Sequence, residues 1–177
     1  MLFEKIYSLS TENHGLVFSS DARALGARNR DFTRWVHIGR MIRIGHGVYR
    51  TLHYPFSEED AYANAVACVG KRAYLCGESV LGLLNLAPTN PRVFHIAVPA
   101  RIHRKLPDNC IVEIHCKDYE PIIRNGIPMQ HPSDAIVSCI GKIMPNRLHQ
   151  ATAEAFRQGL ITEKAKDAIE NEIQKHE

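Results

Sequence analysis

Arg30, Thr33, Arg34 and His37 fall at i, i+3, i+4 and i+7, the spacing that puts side chains on one face of a helix. That face holds only groups that bond to base edges or phosphate oxygens. Arginine's planar fork suits guanine edges and phosphates alike. Phe32, Trp35 and Val36 lie at i, i+3 and i+4 on another face and are expected to form the buried stripe. Arg28 and Asn29 lead into the helix, with Asn29 expected as its cap. The chemistry this spacing offers is recognition of double-stranded DNA, not bond-making.

Patterns for bond-making come close and fail. Gly77-Glu-Ser-Val-Leu-Gly82 places its second glycine too late for a nucleophile elbow. Gly45 and Gly47 are followed by Arg50 where a dinucleotide fingerprint needs glycine. The ten histidines include no metalloprotease or zinc-finger spacing, and His103, His115 and Cys116 are scattered rather than patterned. Pro107-Asp108, then Glu113 and Lys117, approach a magnesium-dependent nuclease site. The acid and lysine are four apart instead of two, ~13 Å along a strand, too far for one metal and its water. No catalytic residue, metal or cofactor is expected. Two other readings stay open: a winged-helix protein with a divergent nuclease-like domain, and an interaction module that never touches DNA.

The elements that must position the arginines follow from periodicity. Leu2, Ile6 and Leu9 mark one helix face, ended by Asn13-His14-Gly15. A short helix with Asp21 in its first turn stops at Gly26, and the arginine-bearing helix follows and ends at Gly39. Met41–Ile44 and Val48–Thr51 read as strands joined by Gly45-His46-Gly47, a hairpin loop with glycines where positive φ is needed. Three helices and a basic hairpin spell a winged helix-turn-helix over residues 1–54. Its third helix would lie in the major groove, and Arg43, His46 and Arg50 would touch the flanking backbone or minor groove.

Residues 55–177 read as a second domain of α+β type. Ser57 to Asp60 opens a helix with Ala61, Ala65, Cys68 and Val69 inward, and another helix runs from Val80 to Leu86. Thr89-Asn90-Pro91 is a turn, Arg92–Val98 a strand, and Arg101, Arg104 and Lys105 a basic loop. Cys110–Cys116 alternates as a half-buried strand, and Ile127–Met129 is a short edge strand. Capped helices begin at Ser133, Asn146 and Thr162 and form a helical tail.

The chain has 177 residues and a net charge of +3. Residues 1–56 carry +4, 57–117 carry +1 and 118–177 carry −2, which suggests separate tasks at the two ends. The five cysteines form no C-x-x-C pair and are expected in apolar interior positions. No window of 18 apolar residues exists, and the first residues carry an acid, so a cytoplasmic chain without a membrane partner is expected.

The run Gly15-Leu-Val-Phe-Ser-Ser-Asp-Ala-Arg-Ala-Leu-Gly26, with Trp35-Val-His-Ile-Gly-Arg-Met-Ile-Arg-Ile-Gly-His-Gly-Val-Tyr-Arg50, resembles the start of AbiEi-family antitoxins of type IV abortive-infection toxin–antitoxin systems. The wing motif is matched as Arg43-Ile-Gly-His-Gly-Val-Tyr-Arg50. Ala73-Tyr-Leu-Cys-Gly-Glu-Ser-Val-Leu-Gly-Leu-Leu-Asn-Leu86, His95-Ile-Ala-Val-Pro99 and Ile127-Pro-Met-Gln-His-Pro-Ser-Asp134 are similar to the family's second domain. The resemblance implies a transcriptional autorepressor that binds operator repeats in its own promoter. It also implies an antitoxin, active in phage resistance, that counters a cognate nucleotidyltransferase-like toxin.

Overall fold

A computed structural model of the chain describes residues 1–88 and 92–176. The expected turn Thr89-Asn90-Pro91 lies outside the described residues. The chain divides into two compact units: Met1–Lys71 with Asn125–Ile127, and Arg72–Arg124 with Pro128–Glu177. The expected boundary at 54/55 therefore moves to 71/72.

The first unit runs α1 (Leu2–Thr11), β1 (Leu16–Phe18), α2 (Ser19–Ala24), α3 (Asn29–His37), β2 (Met41–Gly45), β3 (Val48–Thr51) and α4 (Asp60–Val69). The strands form an antiparallel sheet in the order β1-β3-β2, which completes a winged helix-turn-helix. Ile6, Val17, Ala22, Ala27, Phe32, Trp35 and Met41 make its core. Aromatic rings tie the helices to the sheet: Phe32 stacks on Tyr49 at 4.8 Å and meets Trp35 edge-on at 5.6 Å.

Two local expectations for α3 are corrected. Val36 is 39 % exposed, because Phe32 and Trp35 alone reach the core. Asn29 is the first helical residue and not the cap. Arg28 occupies the cap position, and its backbone N–H donates to Asp31 Oδ2 at 2.7 Å. The hairpin glycines also differ from each other. Gly47 has φ +71°, as a tight turn demands, while Gly45 does not. Gly45 is needed for space: a Cβ there would sit 2.8 Å from Cys68 Sγ.

The second unit carries β4 (Tyr74–Leu75), α5 (Glu78–Leu83), β5 (Phe94–Val98), β6 (Cys110–Ile114), β7 (Ile122–Arg124), all but the first residue of β8 (Ile127–Met129), α6 (Pro132–Ser138), α7 (Pro145–Arg157) and α8 (Glu163–Gln174). The strand order is β6-β5-β4-β8-β7, with β4 antiparallel to β5 and parallel to β8, and β5 parallel to β6. The strand at Ile127–Met129 is thus interior, not an edge. The edges are β6 and β7, and the three residues of β7 are all exposed and show no alternation. The C-terminal helices bury Ile136, Leu148, Ala151, Ala155, Ile169 and Ile173, and Thr162 caps α8 by accepting from Ala165 N at 3.2 Å. Helices capped at Ser133 and Asn146 in the sequence reading instead start at Pro132 and Pro145, the first helical position where proline's missing N–H costs nothing. Cys68, Cys76 and Cys139 are buried as expected, whereas Cys116 is exposed. Among the described residues, no helix is long and apolar enough to cross a membrane.

Candidate nucleic-acid interface

The turn between α2 and α3 is set by Gly26 at φ +100° and pinned by buried Ala27. With Phe32 and Trp35 turned into the core, the 100° step of the helix sends Arg30, Thr33, Arg34 and His37 outward, and all four are exposed. Arg30, Arg34 and His37 make no ion pair or side-chain hydrogen bond among the described residues. Thr33 donates to its own helix, Oγ1 to Asn29 O at 3.2 Å. Asn29 Oδ1 accepts from Arg23 Nη2 at 2.8 Å, so this side chain ties α2 to α3. Arg28 is exposed at the same end of the helix.

The wing divides its cations. Register pairs Arg43 with Tyr49 and Ile42 with Arg50, so Arg43 and Arg50 project from opposite faces of the ribbon. Arg43 is exposed, its Nε 3.2 Å from Gly45 O, and His46 stands exposed at the tip. Arg50 is different. Its guanidinium donates to Asp60 Oδ2 and lies over the Phe56 ring, with its side chain only 12 % exposed. This corrects its expected place among the DNA contacts: a buried carboxylate takes up the charge that a phosphate would need.

Asp60 and His14 are the residues that sequence reasoning missed. Asp60 is completely buried. It accepts from Ser57 N (3.0 Å), Ser57 Oγ (2.7 Å) and Arg50, and His14 Nδ1 lies 3.0 Å from its Oδ1. Burial pushes its carboxyl up, but these hydrogen bonds outweigh that and hold it at about 2. His14 Nε2 lies 2.6 Å from Asn125 O, so the ring bridges the carboxylate to the 125–127 turn. The only signal in the sequence was Ser57-x-x-Asp60, which reads as a capping box and hides the buried ion pair.

The nuclease-like set does not assemble. β6 ends at Ile114, so Lys117 is off the strand, and Asp108 is exposed in a turn. Arg101 and Lys105 are exposed in the β5–β6 loop and Arg104 is half-buried.

No family model matches the chain, and no curated protein matches it. Among solved structures, the chain is similar to the crystal structure of the Rv2827c protein from Mycobacterium tuberculosis, at 13% identity, covering 97% of this chain and 81% of that one with a TM-score of 0.48. A likeness that slight carries no functional argument.

Proposed function

We propose that the chain is a cytoplasmic DNA-binding autorepressor and the antitoxin of a type IV toxin–antitoxin pair, with no chemistry in that role. The first unit would place α3 in the major groove and the hairpin along the adjacent backbone. The observation that carries this reading is the outer face of α3. It presents Arg30, Arg34 and His37 in solvent, with no acid among the described residues paired with them. Arg30 and Arg34 stand at i and i+4, where two like charges cost the helix about 0.2–0.5 kcal/mol that a phosphate between them would offset. The wing adds Arg43 and His46 on an exposed ribbon. The antitoxin role rests on the family resemblance of the wing and second-unit motifs, and its partner would be the nucleotidyltransferase-like toxin that family counters.

A mobility-shift titration of the full-length chain on its own upstream region, repeated across salt concentrations, tests the DNA half. Specific binding should exceed binding to random DNA by a factor of about 10³ or more. Equal affinity for both sequences would remove the repressor reading. Co-expression with a nucleotidyltransferase-like toxin, should one be encoded beside this chain, scored by growth, tests the antitoxin half.

A further inference from the structure

The second unit gathers metal-binding side chains over one strand. In the antiparallel pair β4–β5, Tyr74 stands opposite Ala97. Cys76 N donates to His95 O at 3.0 Å, which continues the pairing by one more step on the same face. In the parallel pair β5–β6, Ala97 lies beside Glu113, and His115 N donates to Val98 O at 3.0 Å, so His115 carries that face beyond the strand end. Strands β4 and β6 flank β5, about 9–10 Å apart. Ala97 on β5 contributes only a methyl group, so the longer side chains of both neighbours converge above it. Ligand atoms of Cys76, Glu113 and His115 all lie within 4.8 Å of one another.

We propose that Cys76, Glu113 and His115 bind one zinc ion, with water as the fourth ligand. This goes beyond the DNA-binding and antitoxin reading and does not depend on it. A sulfur, an imidazole nitrogen and a carboxylate oxygen suit zinc, and the thiolate selects against magnesium and calcium. His115 Nε2 and Glu113 Oε2 are already 3.6 Å apart, the spacing of two ligands on a tetrahedral ion. The remaining closure, roughly an ångström given zinc bonds of about 2.0–2.3 Å, falls to rotation of the half-exposed Glu113 and His115.

The surroundings hold the ligands as a metal site requires. Tyr74 Oη lies 3.2 Å from His115 Nδ1, which fixes the ring and turns Nε2 toward the cluster. His95 Nδ1 (3.4 Å) and Lys142 Nζ (3.9 Å) hold Glu113 Oε1, leaving Oε2 for the ion. Lys142 is 60 % exposed and swings to water when a cation enters. Cys76 closes the inner side, being buried.

The test is metal binding by the full-length chain after chelator treatment. Zinc is titrated against a chromogenic chelator, and cobalt is titrated with the absorption spectrum recorded. One zinc per chain is expected, and cobalt should give a thiolate-to-metal charge-transfer band with four-coordinate d–d bands. Glu113→Gln and His115→Gln should each weaken zinc by tenfold or more. Tyr74→Phe, at a positioning residue, should weaken it about 10- to 100-fold while the charge-transfer band persists at saturating cobalt. Cys76→Ser should remove the band, and Cys110→Ser and Cys116→Ser should keep it. Circular dichroism checks each fold. If Cys76→Ser fails to fold, the two partly exposed ligand variants decide the question. Absence of one-to-one zinc binding, or affinity unchanged in both Glu113→Gln and His115→Gln, overturns the site.

Discussion

The side chain of Arg50, on the wing, is bound to the carboxylate of Asp60, on the first turn of α4. A cation that the hairpin pattern offers to DNA is thereby a support of the fold. Replacing it by alanine leaves a buried carboxylate without its guanidinium partner, at a cost of about 3–5 kcal/mol. We expect Arg50→Ala to lower the urea midpoint markedly. In the protein that remains folded, the salt dependence of DNA binding should be unchanged. A flattened salt slope with unaltered stability would reverse this assignment.

Arg43 should behave in the opposite way. It is exposed on the other face of the ribbon. Arg43→Ala should leave stability within about 0.5 kcal/mol and reduce the slope of log K against log salt by about 0.9, equally on operator and random DNA.

On α3 the effect should depend on sequence. Arg30→Ala and Arg34→Ala should each cost about 1–3 kcal/mol on the operator and relax the preference for one base pair. Binding selections on randomised operators read this directly. Unchanged preference in both variants would move the recognition surface elsewhere.

Asp60 makes acid stability a local property. Its carboxyl is held at about 2 when folded, against 3.8 ordinarily. A depressed carboxylate stabilises above its unfolded value and loses that contribution as pH falls through the folded one. Stability of about 2 kcal/mol should therefore disappear between about pH 4 and pH 2. Urea unfolding across that range should show a larger loss in the wild-type chain than in Asp60→Asn, where Glu113, also held below its ordinary value, still titrates.

Gly45 and Cys68 should be energetically coupled. Gly45→Ala places a methyl 2.8 Å from Cys68 Sγ, and such overpacking costs about 1–3 kcal/mol. Cys68→Ala should relieve most of it. Additive effects in a double-mutant cycle would show that the clash is absent.

The face of α3 was legible because a 3.6-residue period needs no information from elsewhere in the chain. The same holds for the hairpin, where Gly47 serves the turn as its type implies. Arg50 was misread because alternation assigns a residue to a face but does not reveal what covers that face. Its partner lies on a helix expected in the second domain, beyond the linker at His53–Phe56. β4 has two residues and β7 three exposed ones, too little for a period to register. The Cys76, Glu113 and His115 cluster is invisible in the sequence for another reason: its ligands come from two strands that only the folded sheet sets on either side of β5. The sequence places His115 beside His103 and Cys116 only as scattered residues, and Cys116 is exposed in the structure.

The turn at Asn125–Ile127 belongs to the first unit although the rest of that unit ends at Lys71. His14 receives its second partner from Asn125, 111 positions away. During synthesis the amino-terminal unit therefore waits for one of its own pieces. At ribosomal speeds the chain from 72 to 125 takes about 3–10 s to appear. Throughout that interval His14 Nε2 has water and not the Asn125 carbonyl as its partner, so this corner of the winged helix is the last part of its unit to close.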